Sequence, residues 1–501
     1  MIKAKCVSLQ HMKPLSKSTK PSWIVSLVPI AVLVGLMALV IRYFGADALG
    51  GGSQVALIAA TGITIAIAIL IYGCPWERLE EAIKDNVRSI GTAVMILLMI
   101  GTIGGSWMIS GIVPTFICYG IKCISPTIFL FAVCFICALV SLVTGSSWTT
   151  IATIGVAMIA IGNALGYSEA WTAGAIISGA YFGDKISPLS DTTVLASSSS
   201  DTPLFTHIRY MMITTIPSFV IALIVFLLVS IFHKAPSVAQ TDMVVTALKA
   251  NFNITPWVMI VPVLTIWMIV KKVPALLTLL LSSLMAGTLA LIAQPDVVMN
   301  VAGAGYDHLS FEAAFKGTML TYFGDTGVDC GDQALNELVA THGMNGMLPT
   351  IFLIICAASF GGTLKGSGMI QSLTDSLTRH IKSRTGLVAA SVGTGVFSNM
   401  ATGDQYLSII LICSLYKKLY AQLGFESRLL SRTAEDSATV TSVLIPWNSC
   451  GMTQSTVLHV PTLEYLPYCF FNLISPFMSI FVAAIGFRIF RKEPANGTDL
   501  V

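Results

Sequence analysis

Two polar, proline-containing stretches interrupt apolar parts of this sequence. Residues 183–193 read Gly-Asp-Lys-Ile-Ser-Pro-Leu-Ser-Asp-Thr-Thr, and residues 445–451 read Ile-Pro-Trp-Asn-Ser-Cys-Gly. Proline lacks a backbone N–H and disrupts a helix, which frees carbonyl groups from helical hydrogen bonds. We therefore predict that each stretch breaks a helix and makes polar backbone and side-chain atoms available.

The composition around these breaks is that of a chain embedded in lipid. Of its 501 residues, 55% are hydrophobic and 11% are charged, whereas soluble domains carry about 25% charge. Several apolar runs reach the roughly 20 residues that cross a hydrocarbon core about 30 Å thick. These runs include residues 22–44, 52–71, 92–109, 211–232 and 467–487. The sequence predicts an all-α polytopic membrane protein.

Composition also argues against several classes of function. The net charge of +3 gives no basis for nucleic-acid binding. The sequence has no G-x-x-x-x-G-K-[ST] loop, which disfavours an ATP-driven pump. The cysteines lie mostly inside apolar runs, so we expect neither a disulfide framework nor a zinc site. We accordingly expect neither an enzyme nor a bound cofactor.

The sequence can be laid on itself at an offset of 258 residues, the separation of Pro188 and Pro446. The alignment needs no gap and superposes glycines and prolines as well as apolar residues. The other coincident positions are Thr144-Gly145 with Thr402-Gly403, Ile151 with Ile409, Leu165-Gly166 with Leu423-Gly424, Ser197 with Ser455, Pro203 with Pro461 and Phe219 with Phe477. A constant register of this kind predicts an internal duplication.

The distribution of Lys and Arg predicts that the two copies are inverted in the membrane. In the second copy, basic residues flank the pair of apolar runs 387–400 and 406–415 on both sides, which places both flanks in the cytoplasm. The two runs meet at Thr402-Gly403-Asp404 and so describe a re-entrant hairpin. The first copy has no Lys or Arg between residues 123 and 184. Its hairpin, with a tip at residues 144–147, should open to the outside.

Basic residues also orient the rest of the chain. They place both termini in the cytoplasm and predict about ten transmembrane helices plus two re-entrant hairpins in an inverted-topology repeat. Segment 364–381 is too polar to cross, and its apolar residues recur every four positions, as in a helix along the membrane interface. The predicted divisions are a cytoplasmic tail at 1–21, scaffold helices at 22–87, a first inverted repeat at 88–232, scaffold helices with an extracellular loop at 233–347, a second inverted repeat at 348–490 and a cytoplasmic tail at 491–501.

Broken helices near the midplane are where many secondary transporters bind their substrate and coupling ion. By analogy with other hard cations, sodium should prefer carbonyl, hydroxyl and carboxylate oxygens, which the two tips and two breaks supply. The candidate ligands are Thr144, Ser146, Ser147, Ser190, Asp191, Thr192, Thr402, Asp404, Asn448 and Ser449. Among them, the predicted sodium ligands are Ser146, Ser190, Asp191, Asp404 and Asn448. The alternative is that the hydroxyl groups only satisfy the backbone of the broken helices.

Acidic residues at or near membrane depth are further candidates, because an ionised side chain there costs at least about 2.5–3.5 kcal/mol. A carboxylate in such a site can hold either a sodium ion or a proton. The candidates for proton coupling are Asp184, Asp191, Asp404, Glu435 and Asp436. For two of them the alternative is a structural ion pair, because Lys185 adjoins Asp184 and Arg432 lies near Glu435. We interpret His207 and His459 as solvated loop residues, with a pH-sensing role as the alternative.

The same stretches resemble the NhaC family of sodium/proton antiporters, in the ion transporter superfamily. The motifs that carry the resemblance lie at residues 144–148, 183–193, 404–408, 430–436 and 445–451. The similarity covers most of the chain from about residue 20 onward. The family often has Asn after Asp-Thr-Thr, whereas this chain has Val194, a departure that leaves the choice of substrate open.

The resemblance implies Na⁺/H⁺ exchange by alternating access. It also implies an alternative, sodium-coupled carriage or exchange of an organic acid or amino acid, because the family is similar to such carriers. Related members of the superfamily are dimers in which a transport domain slides against a scaffold. The expectation is therefore an elevator-like homodimer in the plasma membrane. Its duplicated units would move, and its partners would be the lipid bilayer, Na⁺, H⁺ and, in the alternative, a small organic solute.

Overall fold

The computed structural model describes residues 21–44, 50–123, 125–232, 238–271, 273–303, 308–328, 336, 339–378 and 383–490. Its α-helices, in chain order, are α1 (Trp23–Phe44), α2 (Gly52–Ala66), α3 (Trp76–Ser89), α4 (Gly91–Ile109), α5 (Ile112–Cys123), α6 (Phe129–Thr144), α7 (Ser147–Thr150), α8 (Val156–Ala164), α9 (Glu169–Ile186), α10 (Asp191–Ser199), α11 (Leu204–Phe232), α12 (Val238–Asn251), α13 (Ile260–Val270), α14 (Ala275–Ala293), α15 (Pro295–Ala302), α16 (Phe311–Phe323), α17 (Leu348–Gly366), α18 (Met369–Thr378), α19 (Arg384–Thr402), α20 (Gln405–Gln422), α21 (Ser427–Ala434), α22 (Ser449–Leu458), α23 (Thr462–Tyr465) and α24 (Phe470–Ile485).

Shorter helical turns connect or extend several of these helices. Turns of π-helix lie at Ile67–Ile71, Ile151–Gly155 and Glu435–Thr439, and 3₁₀ turns lie at Pro126–Ile128, Pro256–Met259, Asn345–Met347, Ser442–Leu444 and Leu466–Tyr468. The described residues contain no strand, and their isolated β-bridge pairs Thr326 with Thr341. The predicted all-α fold class is confirmed.

Seven segments of the described chain are long and apolar enough to cross a membrane. They are Trp23–Phe44, Gly52–Ile71, Pro126–Thr144, Ser147–Ala164, Leu204–Phe232, Leu276–Ala293 and Asn345–Gly366. Three bent pairs of helices also pass when each pair is taken as one span, which raises the number of candidate spans to 10. Two of the seven segments are the arms of the first predicted hairpin. The two arms are long enough to cross the membrane fully as well as to form a re-entrant hairpin. The re-entrant path therefore stays a prediction.

Both hairpin tips fall where the sequence places them. In the second hairpin the arms are α19 and α20, which are longer than the apolar runs at 387–400 and 406–415. The difference arises because polar and basic residues, among them Arg384 and Lys417, continue the helices beyond the apolar runs.

Segment 364–381 is divided between two helices, and its position along the membrane interface stays a prediction. Helix α17 extends to Gly366, the backbone turns at Gly368 with a φ of 78°, and α18 begins at Met369. Met369 and Leu373 are buried in the protein core, where α18 packs against α1. The four-residue repeat therefore reflects packing inside the protein. Residues 379–382 of this segment lie outside the described residues.

Helices α6 and α9 approach each other closely enough to fix the first tip beside the first break. A Cβ atom added at Gly179 would lie 2.1 Å from the carbonyl oxygen of Cys134, and one at Gly183 would lie 2.2 Å from that of Ala138. Cys134 and Cys137 stand in a C-x-x-C spacing on α6, but both are buried and free. The spacing is thus a packing feature of the helix.

The predicted divisions of the chain stay predictions. Apart from Pro21, the two tails at 1–21 and 491–501 lie outside the described residues. The buried core draws on all four internal divisions, with one large cluster, a second cluster around α10, α19, α20 and α21, and a small third cluster of Ala68, Cys74 and Leu79.

Candidate functional site

The first tip is a two-residue turn between α6 and α7. Helix α6 ends at Thr144, and Gly145 adopts the left-handed conformation with a φ of 68°, which glycine accepts without steric cost. Ser146 then caps α7, because its Oγ accepts a hydrogen bond from the N–H of Thr149 at 3.2 Å. The hydroxyl groups of Thr144 and Thr150 lie 3.2 Å apart across the turn.

The second tip repeats this geometry. Helix α19 ends at Thr402, Gly403 has a φ of 66°, and Asp404 caps α20 by accepting the N–H of Leu407 on Oδ1 at 2.9 Å. The hydroxyl groups of Thr402 and Ser408 lie 3.1 Å apart across the turn. All five residues stand at an offset of 258 from their counterparts in the first tip.

Both breaks are helix starts with matched caps. Ser190 Oγ accepts the N–H of Thr193 at 3.5 Å and begins α10, while Asn448 Oδ1 accepts the N–H of Cys450 at 3.0 Å and begins α22. The amide of Asn448 also donates to the carbonyl of Asn399 at 3.1 Å. Asn448 therefore has structural partners on both ends of its amide, and only the remaining lone pair of its oxygen is open to an ion.

Each tip packs against the break of its own copy. A Cβ atom on Gly145 would lie 2.7 Å from Cβ of Leu189, so the first tip touches the first break. In the second copy, the N–H of Ser449 donates to the carbonyl of Gly403 at 2.8 Å. The indole N–H of Trp447 donates to the carbonyl of Met400 at 2.7 Å. Each tip and break thus form one packed unit.

The structure brings the carboxylates of both copies into one neighbourhood. Asp184, at the end of α9, accepts the hydroxyl of Ser147 from the first tip at 2.7 Å and is 5% exposed. Tyr406, on the second hairpin, lies within electrostatic range of Asp184, Asp191 and Asp404. Tyr406 therefore lies near aspartates of both half-sites expected from the sequence.

The predicted ligands differ in exposure. Asp191, the first residue of α10, is exposed. Its neighbours Ser190 and Thr192 are buried and share a hydrogen bond of 3.0 Å between their hydroxyl groups. Thr402, Asp404, Asn448 and Ser449 are buried, as is Ser147, while Thr144 and Ser146 are half-buried.

Glu435 and Asp436 belong to a second group of buried charges, between α9, α11 and the turn Glu435–Thr439. Lys185 and Asp436 form an ion pair, and both side chains are fully buried. Thr214 Oγ1 donates to Asp436 Oδ2 at 2.9 Å, and Arg432 Nε lies 3.8 Å from the same oxygen. The ion pairs are therefore Lys185 and Arg432 with Asp436, in place of the sequence neighbours Asp184 with Lys185 and Arg432 with Glu435.

His207 is a buried helical residue, so its interpretation as a solvated loop residue is wrong. Helix α11 begins at Leu204, ahead of the apolar run at 211–232, because the polar residues between them continue the helix. His207 is fully buried, and its Nδ1 lies 2.8 Å from the hydroxyl of Ser431. It thus borders the second group of charges.

Sequence reasoning missed several polar residues that complete these two groups. Thr214 on α11 and Ser475 on α24 contact the Lys185–Asp436 pair, the latter accepting from Lys185 Nζ at 3.2 Å. Gln405, next to Asp404, accepts from Ser442 at 2.9 Å. The sequence contains a signal that identifies these residues, because each is a polar residue inside an otherwise apolar helix or beside a tip.

Comparison with known proteins identifies relatives over most of the chain. A sequence model of the Na⁺/H⁺ antiporter family matches residues 10–199 and 179–487. The Na⁺/H⁺ antiporter NhaC of Bacillus subtilis is 34% identical over 425 residues, which cover 84% of this chain and 90% of that protein. The malate-2H⁺/Na⁺-lactate antiporter of the same organism is 32% identical over 435 residues, which cover 86% of this chain and 89% of that protein.

Solved structures also include similar chains. The YdaH transporter of Alcanivorax borkumensis matches with a TM-score of 0.40 and 11% sequence identity, over 92% of this chain and 99% of that one.

Proposed function

Because this chain belongs to the Na⁺/H⁺ antiporter family, we propose that it exchanges Na⁺ for H⁺ across the membrane as a secondary active transporter. The resemblance to the NhaC family that the motifs indicate is confirmed by these matches. Membership supports a transporter as the function of this chain. An exchanger of this kind needs no cofactor, because the ion gradient supplies the free energy.

The observation that carries the proposal is the set of oxygen donors at the tips and breaks, where the buried Asp184 accepts the hydroxyl of Ser147 and the buried Asp404 caps the second tip. Such a site carries negative charge and hard oxygen ligands, which suits a small cation. In the part of the chain that the structure describes, no three His, Cys, Asp or Glu residues cluster closely enough to hold a metal ion. A monovalent ion held by Asp191, Asp404 and several neutral oxygens fits this set of donors better than a chelated divalent ion.

We propose Ser146, Ser190, Asp191, Asp404 and Asn448 as sodium ligands, with Thr144, Ser147, Thr192, Thr402 and Ser449 around them. Each tip is held to its own break by packing or a hydrogen bond, so each unit can move as one body. This supports an elevator-like alternation in which the duplicated, inverted units slide against a scaffold. The remaining elements of the proposal are a homodimer, a plasma-membrane location and cytoplasmic termini.

A second candidate function is exchange of an organic acid or amino acid coupled to sodium. It is favoured by the similarity to the malate-2H⁺/Na⁺-lactate antiporter, which is almost as high as the similarity to NhaC. The charges near the tips disfavour an organic acid as the substrate, because the nearest buried cation, Lys185, is already paired with Asp436. A carboxylate ligand would therefore meet three aspartates and no available ammonium group at the tips.

The two functions are separated by transport measurements in proteoliposomes. A sodium gradient is imposed while internal pH is followed with a dye, and the experiment is repeated with labelled malate, lactate or arginine. Proton movement that depends on sodium, without added solute, supports Na⁺/H⁺ exchange. Sodium-dependent solute uptake without it would replace our proposal with the second candidate.

A further inference from the structure

Glu435 is the buried acid that the tips and breaks do not use. It is fully buried at the start of the π-helical turn Glu435–Thr439. Neither carboxylate oxygen has a hydrogen-bond partner among the described residues. Thr439 lies close enough to interact, but its hydroxyl does not reach hydrogen-bond geometry.

The neighbouring Asp436 has the opposite environment. It receives the ammonium of Lys185 and the hydroxyl of Thr214, and it lies beside the guanidinium of Arg432. The two cations are thus directed at Asp436, and its negative charge is compensated inside the protein. Glu435, one residue away, has no comparable donors.

A buried carboxylate without donors is far more costly when ionised than when it holds a proton. In this conformation Glu435 is therefore a neutral acid. The charged and titratable groups that face it are Lys185, Asp184, Asp436 and Cys413, with Arg432 one helical turn earlier in the chain. The affinity of Glu435 for its proton therefore depends on the charges of these neighbours.

Sodium can change that field through Asp184. This carboxylate is bonded to Ser147 of the first tip and also lies within electrostatic range of Glu435. A sodium ion bound at the tips adds one positive charge near Glu435, which favours the ionised form of the acid. Binding of sodium and binding of the proton then oppose each other without sharing a ligand.

We infer that Glu435 carries the transported proton at a site separate from the sodium ligands of the tips and breaks. The inference rests on the Na⁺/H⁺ exchange proposed above. When sodium enters, the O–H bond of the Glu435 carboxyl breaks and the proton passes to water on the open side. When sodium leaves, the carboxylate takes a proton from the other side.

The test is calorimetric titration of NaCl into the purified full-length protein, in buffers of different ionisation enthalpy and over a range of pH. We expect the wild type to release about one proton per bound sodium, by linkage of the two equilibria. Glu435→Gln should bind sodium within threefold of the wild-type affinity, release no proton and show an affinity that no longer depends on pH. Glu80→Gln removes an exposed carboxylate from α3 and serves as the matched control, with proton release unchanged.

Two results would overturn the inference. One is proton release from Glu435→Gln equal to that of the wild type, and the other is loss of sodium binding in a folded Glu435→Gln protein, which would make Glu435 a sodium ligand. If the wild type itself binds no sodium or releases no proton, the proposed exchange function fails instead. Should Glu435→Gln not fold, Glu435→Met offers an apolar side chain of similar length, and the same outcomes apply to it.

Discussion

Asp404 and Ser146 occupy equivalent positions and cap their helices in the same way. Asp404 Oδ1 accepts from the N–H of Leu407 and Ser146 Oγ from the N–H of Thr149, so an uncharged oxygen is enough for the cap. The carboxylate of Asp404 is nonetheless buried, with 8% of its surface exposed. The helix cap does not require the negative charge of the buried Asp404 carboxylate. A bound cation is the best explanation of that charge.

Replacing Asp404 by the residue of the other tip separates structure from charge. Asp404→Ser keeps a capping oxygen, so we expect the free energy of unfolding to change by less than about 1 kcal/mol. We expect sodium-dependent transport to be lost, because a hydroxyl cannot neutralise a dehydrated cation. Unfolding in detergent and sodium-driven pH change in proteoliposomes measure the two effects. Wild-type transport with unchanged sodium dependence would show that Asp404 only caps the helix.

The Lys185–Asp436 pair allows a second test at the scale of single residues. Removal of one partner leaves an uncompensated buried charge, which costs about 3–5 kcal/mol. We therefore expect Lys185→Met to lower the free energy of unfolding by that amount. The double variant Lys185→Met/Asp436→Leu should not regain the loss, because the buried Arg432 then has no carboxylate partner at this position.

An exposed ion pair supplies the control for this prediction. Lys417 and Asp201 also form an ion pair, with side chains 42% and 70% exposed. Exposed pairs contribute about 0–1 kcal/mol, so Lys417→Met should change stability little. Equal losses for Lys185→Met and Lys417→Met would mean that Lys185 reaches water in the folded protein.

At the scale of elements, the hairpin turns differ in how much space surrounds their glycines. Gly145, Gly403 and Gly424 all have positive φ, and alanine in that conformation costs roughly 1–2 kcal/mol. A Cβ atom on Gly145 would also lie 2.8 Å from the backbone carbon of Leu189, whereas one on Gly403 would meet Cβ of Ala357 at 3.1 Å. One on Gly424 would meet nothing within 4 Å.

Alanine substitution should therefore destabilise the protein in the order Gly145, then Gly403, then Gly424. The Gly145→Ala variant should lose about 1–3 kcal/mol more than Gly424→Ala, because backbone atoms must move. Thermal unfolding of the three variants in one detergent measures the order. Equal losses would show that the first tip is not held tightly against the first break.

The sequence predicts the tips and breaks well because local chemistry decides them. Glycine at a left-handed turn, a serine or aspartate after it, and a proline before a capped helix leave few alternatives. The offset of 258 also relates Asp201 and His459, which share an unusual positive φ of 54° and 56°. Such matched geometry follows from matched sequence.

Long-range partners could not be predicted in the same way. Lys185 follows Asp184 in the chain, but successive helical residues point in different directions, and Lys185 reaches Asp436 from the other copy. Similarly, the repeat of Met369 and Leu373 indicates an apolar helix face but not whether lipid or protein covers it. Periodicity identifies a face, and only the tertiary fold shows what covers that face.

For the whole molecule, a cavity of about 440 Å³ borders the second arm of the first hairpin. It lies between α4 and α8 and is lined by small residues, including Gly104 and Ala160. At one end stand Glu169, His342 and His459. Burial and the neighbouring His342 lower the pKa of His459, so its imidazole is neutral at pH 7 and leaves this end without added positive charge.

The inverted arrangement predicts that the two hairpins are reached from opposite sides of the membrane. Leu165 and Leu423 are matched positions, but Leu165 is only 1% exposed and would react poorly as a cysteine. Ser168 and Ala421, near the ends of the hairpin arms, are both exposed. Cysteines at these two positions, in a transport-active background without the native cysteines, report the two sides.

We expect Ser168→Cys to react with a membrane-impermeant maleimide in intact cells, because no Lys or Arg lies between residues 123 and 184 to hold this region inside. Ala421→Cys, close to Lys417 and Lys418, should react only after the cells are permeabilised. Labelling is read from the mass shift of the purified protein, with a permeable maleimide as the control for reactivity. Modification of both positions from the same side would contradict the inversion. The two tips would then have to open to one side together, which is incompatible with opposed units that alternate around a shared site.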